Sequence, residues 1–465
     1  MKKSAIIIAA IALEVSLTAH GQDVNYTNML RDSVPATWEL SQEYFQTTPS
    51  EDPWWETFKD PVLTHLIKQA VENNYNVIAA QRRILSAAQM SKITKAGYYP
   101  TINASLGYSQ ERMAGAVSGS KVKSSNEGYF SLGLSMTWEI DVFGRIQAQL
   151  KSDQANYNAT VADYDATLIS LVSNVAKAYF QLRLAQAQLK ITDDNIKVNE
   201  ELLHLAKTRY EVGLNPAVDE LQAEMVVVQT KSSIPSLKAD INTYINEIAT
   251  LIGVYPDKLQ TLLTPQPLPE APQPGVVADP QSLLRRRPDI ASAEQELAMY
   301  AAKIGIAKKD FLPTLSLTAG AGVQSHNLLD MFGRNSYYYS VMPTLSWTIF
   351  EGKARNAQLA EARYNFESQI ESYNLTVMTA IEEVNNAMIS WQSLCDELVY
   401  NQMLLKESKK VLELQVDRYR QGLNDYTDVA NAQKDVLTYD NSVASTQASQ
   451  LAALVTLYTA LGGGY

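Results

Sequence analysis

The sequence predicts a mainly α-helical chain with a membrane-facing β part: duplicated long coiled-coil helices plus four β-strands per chain. Three observations predict it. An internal repeat has a period of 209 residues, proline-free stretches of about 65 residues carry apolar positions at alternating spacings of 3 and 4, and two regions alternate apolar and polar residues.

The repeat is visible at four anchors. Trp138 corresponds to Trp347, and Arg209-Tyr210-x-x-Gly213-Leu214-Asn215 to Arg418-Tyr419-x-x-Gly422-Leu423-Asn424. Asp219 corresponds to Asp428, and Ile252-Gly253 to Leu461-Gly462. This period is far longer than the roughly 20–50 residues of solenoid units, so it marks a duplicated half. The halves are joined by a linker over 254–282 whose density of proline, from Pro256 to Pro280, favours an extended connection.

At the N-terminus, Lys2 and Lys3 precede the apolar run Ile6–Leu17 and the small-x-small triplet Ala19-His20-Gly21. That pattern predicts a cleavable export signal over 1–21. The run is too short for a spanning helix, which needs about 20 residues. Residues 22–100 follow as an N-terminal segment with the first helices.

Residues 101–140 read as a first β-hairpin. Segment 101–110 places Ile102, Ala104, Leu106 and Tyr108 on one face, and 129–140 places Phe130, Leu132, Leu134, Met136, Trp138 and Ile140 on one face. A helix over 283–313 leads into a second hairpin over 314–350, with strands at 314–324 and 337–350. A half-buried sheet in a soluble protein alternates in the same way. Small polar opposite faces, and Trp138, Trp347, Tyr337 and Tyr339 near strand ends as interface aromatics, favour lipid against the apolar face. Four strands cannot close a membrane barrel, which needs about eight, and open edges are not tolerated in lipid. An oligomer is therefore expected.

Each hairpin is followed by a long helical hairpin, over 141–253 and 351–465. The first seam runs Leu168, Leu171, Val175, Ala178, Leu182, Ala185 and Leu189, then Ile196, Leu203, Ala206 and Tyr210. The second runs Val377, Ala380, Val384, Ala387, Trp391, Leu394 and Leu398, then Leu405, Leu412 and Tyr419. Sustained spacing of this kind argues coiled-coil packing, in rods of roughly 100 Å. Gly213 and Gly422 stop the long helices, and return helices span 217–252 and 426–461, with a kink expected at Pro235.

Composition narrows function. A net charge of −11 over 465 residues argues against binding nucleic acid, which needs a basic footprint. One cysteine, Cys395, and four scattered histidines provide no disulfide and no metal-ligand spacing. No nucleophile or phosphate-binding motif is present, so no catalytic, cofactor or metal residues are assigned and an enzyme is not expected. Arg285-Arg286-Arg287 before Pro288 reads as a helix start.

Four motifs carry a family resemblance: Trp55-x-x-Phe58-x-Asp60-Pro61 with Asn73-Asn74-Tyr75; Trp138-Glu139-Ile140-Asp141-x-Phe143-Gly144-Arg145; Leu283-Leu284-x-Arg286-Arg287-Pro288-Asp289-Ile290 with Ala293-Glu294; and Ile304-Gly305-x-Ala307 leading to Phe311-Leu312-Pro313. In this order the chain resembles the TolC-type outer-membrane efflux proteins, in the NodT-like branch that accompanies resistance-nodulation-division pumps. The resemblance implies a homotrimer whose twelve-stranded barrel continues into an α-helical tunnel. It implies an outer-membrane location reaching into the periplasm, and a periplasmic adaptor and an inner-membrane efflux transporter as partners. The tips Val212-Gly213-Leu214 and Gln421-Gly422-Leu423 match the adaptor contact, the second departing at Gln421. Asp428 matches a position that constricts the tunnel, with Asn431 where a second aspartate is common. Tyr419 and Asn424 match positions that brace the closed state in some relatives, and Asp219 is the repeat partner of Asp428.

Two physical readings of Asp428 and Asp219 stand: a ring of carboxylates that repel one another and favour cations, or first-turn acids interacting with the helix dipole. No cysteine lies near residue 22, so no lipid anchor is expected there. The expectation is a passive exit duct for small molecules in a tripartite efflux pump. The alternatives are the outer-membrane duct of a type I protein secretion system and a coiled-coil surface protein without transport function.

Overall fold

The computed structural model describes residues 53–113, 125–272, 274 and 286–463. The export segment, the chain up to residue 52, most of the second part of the linker and Leu283-Leu284-Arg285 lie outside the described residues. The elements, in order, are α1 (Pro61–Asn73), α2 (Tyr75–Ala96), β1 (Thr101–Met113), β2 (Ser125–Ile140), α3 (Arg145–Glu211), α4 (Ala217–Ser232) and α5 (Ile234–Leu251). They continue with α6 (Pro288–Lys309), β3 (Thr314–Ser325), β4 (Tyr337–Ser346), α7 (Ala354–Gln421) and α8 (Tyr426–Ala460). Adding 209 to Arg145, the first residue of α3, gives Ala354, the first residue of α7. Contacts divide the chain into two bodies, with α3 and α7 each contributing residues to both.

The first body holds 83–161 and 292–373 and is built on one antiparallel sheet of four strands in the order β1-β2-β3-β4. Its register puts Leu106, Leu132 and Val323 in line across three strands, and Ala104, Leu134, Ala321 and Tyr339 across four. One face is therefore apolar through the middle of the sheet. The other carries Ser105, Gly133, Gly322 and Tyr338 in line. A Cβ on Gly133 would lie 2.5 Å from the Tyr338 hydroxyl, so glycine makes room for that ring on the small-residue face. β4 ends at Ser346 rather than at 350, because its last partner, Thr314, is the first residue of β3. β1 and β2 extend past the expected ends, to Met113 and from Ser125, by pairing polar residues such as Arg112 with Asn126.

The motif around Gly144 turns the chain from β2 into α3. Gly144 has φ +73°, which a side chain would resist. The Asp141 carboxylate accepts from the backbone N–H groups of Ile146 (3.1 Å) and Gln147 (3.0 Å), capping the helix. Lys309 Nζ donates to the Phe143 carbonyl oxygen at 2.7 Å.

The second body holds the described residues to Arg82, then 162–291 and 374–463. Its core collects Leu171, Val175, Ala178, Leu182 and Ala185 from α3 with Leu63, Ile67, Ile245, Ile248, Trp391 and Leu454. These include five positions of the expected first seam. In the second seam Val377, Ala380, Val384, Ala387 and Trp391 are buried. Asp60 caps α1, accepting from Val62 N–H at 2.8 Å, and its other oxygen accepts from the Tyr179 hydroxyl. Asn74 accepts from Asn76 N–H at 2.8 Å to cap α2 and donates to the Leu251 carbonyl at 2.8 Å. Gly253 (φ +70°) lets the chain pass against the Asn73 backbone, where a Cβ would lie 2.5 Å from its carbonyl oxygen.

The break expected at Pro235 in the return segment 217–252 is present: α4 ends at Ser232 and Pro235 lies in the first turn of α5. Two expectations are corrected. The linker is not extended throughout. Pro256–Leu263 turns as a 3-10 helix because Leu259 and Leu262 drop into the core, and Gln186 donates to the Leu262 carbonyl at 2.7 Å. Tyr210, placed on the seam by periodicity, is 44% exposed.

Candidate functional site

The two helical hairpins turn in the same way. Gly213 and Gly422 have φ of +74° and +75°, and the next N–H bonds back across the turn: Leu214 to Arg209 O at 2.8 Å, Leu423 to Arg418 O at 2.9 Å. A Cβ on Gly213 would meet nothing within 4 Å, so the backbone conformation rather than space requires the glycine. Val212, Leu214 and Leu423 project outward at 64%, 65% and 62% exposure, and Gln421 is exposed beside them. Three apolar side chains are thus uncovered at the turns.

Behind the turns lies a polar cluster set on an apolar base. Leu202, Ala206, Ala223, Tyr426 and Val429 form that base, and Tyr419 is fully buried on it. The Tyr419 hydroxyl lies 3.3 Å from the Asp219 carboxylate, to which it donates. Asn215 Nδ2 is 2.6 Å from both the Asp219 carboxylate and the Tyr419 oxygen. Arg209 donates to Asn215 Oδ1 at 3.0 Å and to the Arg420 carbonyl at 2.7 Å, with its guanidinium 5.2 Å from the centre of the Tyr419 ring. Arg209, Asn215 and Asp219 thus hold the first hairpin to the second through Tyr419.

Asp219 is 5% exposed, while Asp428 and Asn431 are exposed on the first turns of α8. Asn424 stays within its own hairpin, donating to the Gln415 side chain at 2.8 Å. Arg209 and Asn215 are the residues that sequence reasoning did not assign. The repeat anchors contained both, but the anchors do not say which copy turns inward.

Burial, then the charge and hydrogen bond of Asp219, push the Tyr419 hydroxyl up from 10.0 to about 12. Burial, then Asp219, do the same for Tyr426, to about 12. A raised folded-state value means the neutral phenol is favoured in the folded tip. That stabilisation is complete below pH 10 and is lost as pH rises through about 12. Phenolate absorbance followed against pH is therefore expected to show a late-titrating component that shrinks by one tyrosine in Tyr419→Phe, Tyr426 and other buried phenols keeping the rest. An unchanged titration curve in that variant would contradict the buried placement.

In the sheet, Trp138 Nε1 donates to the Tyr98 carbonyl (2.9 Å) and Trp347 Nε1 to the Phe311 carbonyl (3.0 Å). Each indole thus ties the end of a hairpin to the chain entering it, with Trp347 just beyond the end of β4. Tyr337 and Tyr339 stand on the apolar face at 65% and 85% exposure. That face is uncovered elsewhere as well, with Ile102 63%, Leu106 73%, Leu134 56% and Leu345 66% exposed. Where the strands meet the helices, Glu139–Arg145 (3.2 Å) and Glu351–Arg355 (3.1 Å) line a polar cleft. Among the described residues no helix is long and apolar enough to cross a membrane.

A sheet with an uncovered apolar face and two unpaired edges, joined to helices of 67 and 68 residues, defines a class of membrane-inserting channel subunit. The outer membrane efflux protein family model matches residues 66–254 and 280–463, and the chain belongs to that family. It is 29% identical over 416 residues to the pyoverdine export outer membrane protein OpmQ of Pseudomonas aeruginosa, covering 89% of this chain and 87% of the relative. It is 30% identical over 412 residues to the solvent efflux pump outer membrane protein SrpC of Pseudomonas putida, covering 88% and 87%. The outer-membrane channel OprN superposes with a TM-score of 0.87 at 28% identity, covering 96% of this chain and 99% of that one.

Proposed function

We propose that the protein is the outer-membrane exit duct of a tripartite efflux pump, a passive conduit for small molecules. The observation that carries this reading is the sheet. Its apolar face is exposed, its opposite face is small and polar, and β1 and β4 are each paired on one side only. Three copies joined edge to edge, β4 to β1, would give a closed barrel of twelve strands with lipid outside and water inside. The apolar turn residues Val212, Leu214 and Leu423 provide the contact for a periplasmic adaptor. That adaptor joins the duct to an inner-membrane transporter of the resistance-nodulation-division type, which supplies the energy. Residues 1–21 direct export, and the barrel holds the protein in the membrane. Three exposed Asp428 carboxylates brought round one axis form a cation-favouring ring at the periplasmic mouth, with Asn431 one turn further in.

The test is the purified protein in planar lipid bilayers, with its mass measured in detergent, and photo-crosslinking from Val212 and Leu423 in cells. A trimer with cation-preferring conductance and a crosslinked periplasmic adaptor is expected. A monomer without conductance would sink the reading, as would a trimer that captures no adaptor.

A further inference from the structure

The apolar face of the sheet is not equally tall on its two sides. On β2 it runs from Ile140 to Phe130. That is about 34 Å of strand, or about 26 Å of height at a tilt of about 40°, close to the roughly 25 Å apolar band of a membrane barrel. On β3 it runs only from Leu315 to Val323, because Ser325 stands opposite Phe130. That is about 27 Å of strand and about 21 Å of height. β4 is equally short, its first residue, Tyr337, pairing with Val323. At the end away from the helices, β1 and β2 thus carry one more apolar row, Tyr108 beside Phe130 with ring centres 4.8 Å apart.

The loop joining β3 to β4, residues 326–336, lies at the level of the missing row. Its polar groups turn inward and its apolar groups outward. The Asp330 carbonyl accepts from Gly333 N–H at 2.9 Å and from the Ser336 hydroxyl at 2.7 Å. Asp330 N–H donates to the Asn327 carbonyl at 3.2 Å, and Gln324 N–H to the Ser336 carbonyl at 2.8 Å, closing the loop onto β3. Meanwhile Leu328, Leu329 and Phe332 are 59%, 98% and 70% exposed. A segment that satisfies its own backbone in this way tolerates an apolar medium.

Two buried residues point to the side of the sheet on which the loop lies. Val323 is on the apolar face, in line with Leu106 and Leu132. It is nevertheless 6% exposed where Leu106 is 73% exposed. Met331, within the loop, is 4% exposed. Gln324, the next residue of β3 and on the opposite face, is exposed. The cover at this end is therefore on the apolar side.

We propose that the loop folds against the outer margin of the apolar face, Met331 over Val323, and seats Leu328, Leu329 and Phe332 among the acyl chains of the outer leaflet. Lipid is the occupant because the surface continues the apolar face through Tyr337 and Tyr339, the first residues after the loop on that side. The three side chains supply the row that β3 and β4 lack, bringing both halves of the sheet to one apolar height. Without them the short side would have to thin the bilayer around it. This goes beyond the exit-duct reading and rests on its lipid-facing sheet.

The test places single cysteines in the full chain, in a Cys395→Ser background, at Leu329, Phe332 and Val341. Each is labelled with an environment-sensitive fluorophore and the protein is reconstituted in phosphatidylcholine vesicles. Val341 lies on the same face in the middle of β4 and reports whether the sheet meets lipid at all. All three probes are expected to lose most of their emission to spin-labelled lipid and little to aqueous iodide. The loop probes respond best to a spin label near the headgroup, and Val341 to one deeper in the chain. Loop probes quenched by iodide while Val341 is quenched by lipid would overturn the proposal and leave the lipid-facing sheet standing. Phe332→Cys chains that form disulfides with one another in the vesicles would also overturn it, placing the loops over the pore mouth. A Val341 probe indifferent to spin-labelled lipid would strike the exit-duct reading itself, and this proposal with it.

Discussion

Arg287→Ala is expected to destabilise the helical body by about 3 kcal/mol, a shift of about two orders of magnitude in its unfolding equilibrium. The guanidinium is only 9% exposed and meets three partners. It lies 2.7 Å from Asp289, 2.7 Å from Glu383 on α7, and 2.8 Å from the Ala460 carbonyl at the end of α8. It therefore joins the start of α6 to both helices of the second hairpin. Beside it, Gly462 (φ +92°) brings the chain so close that a Cβ would lie 3.0 Å from the Arg286 backbone. Removing the cation takes this donor from the Ala460 carbonyl and leaves two carboxylates close together. Because Asp289 and Glu383 are 41% and 48% exposed, solvent screens part of the loss, which keeps the figure at the low end for a buried pair. Glu383→Gln, which removes one exposed partner, is expected to cost less than about 1 kcal/mol. Denaturant unfolding followed by helical circular dichroism distinguishes the two. Equal costs for the two variants would show that the carbonyl and the buried position contribute nothing.

That arginine also shows what the sequence could and could not tell. The motif Arg286-Arg287-Pro288-Asp289 reads as a helix start, and α6 does begin at Pro288. The reach of Arg287 to residues 96 and 173 positions away has no local signal, since it depends on tertiary packing. The strands and long helices were legible because burial on one face imposes a period. Boundaries slipped where polar pairing, as between Arg112 and Asn126, extended a ladder that no alternation marked. Tyr210 and Tyr419 are indistinguishable by periodicity, yet one is exposed and the other fully buried. A heptad states that a residue belongs to a seam, not whether the partner helix lies in the same chain. For the same reason Asp219 and Asp428 are equal in the sequence and opposite in the fold.

Asn215→Ala is expected to raise the open-to-closed ratio of the channel about 30-fold, corresponding to the loss of about 2 kcal/mol from the turn cluster. Asn215 is the hub there. Its Oδ1 accepts from Arg209, and its Nδ2 lies 2.6 Å from both Asp219 and Tyr419. Alanine removes all three contacts at once and leaves the Asp219 carboxylate, 5% exposed, with the Tyr419 hydroxyl as its remaining partner among these residues. Leaving a buried carboxylate underbonded costs more than losing a solvated pair, so water is drawn in and the two hairpins separate at their turns. Tyr419→Phe removes one hydroxyl and keeps the ring in its apolar seat, so a smaller increase is expected. Asp219→Asn removes the charge and keeps the shape, and should fall between them. The measurement is single-channel recording in bilayers, with helical content checked so that opening is not confused with unfolding. The order matters more than any one value. If Tyr419→Phe opened the channel more than Asn215→Ala, the apolar seat and not the hydrogen-bonded cluster would hold the hairpins together. If none of the three changed conductance, the cluster would be a brace for the turns with no part in gating, and the closure would have to lie with Asp428.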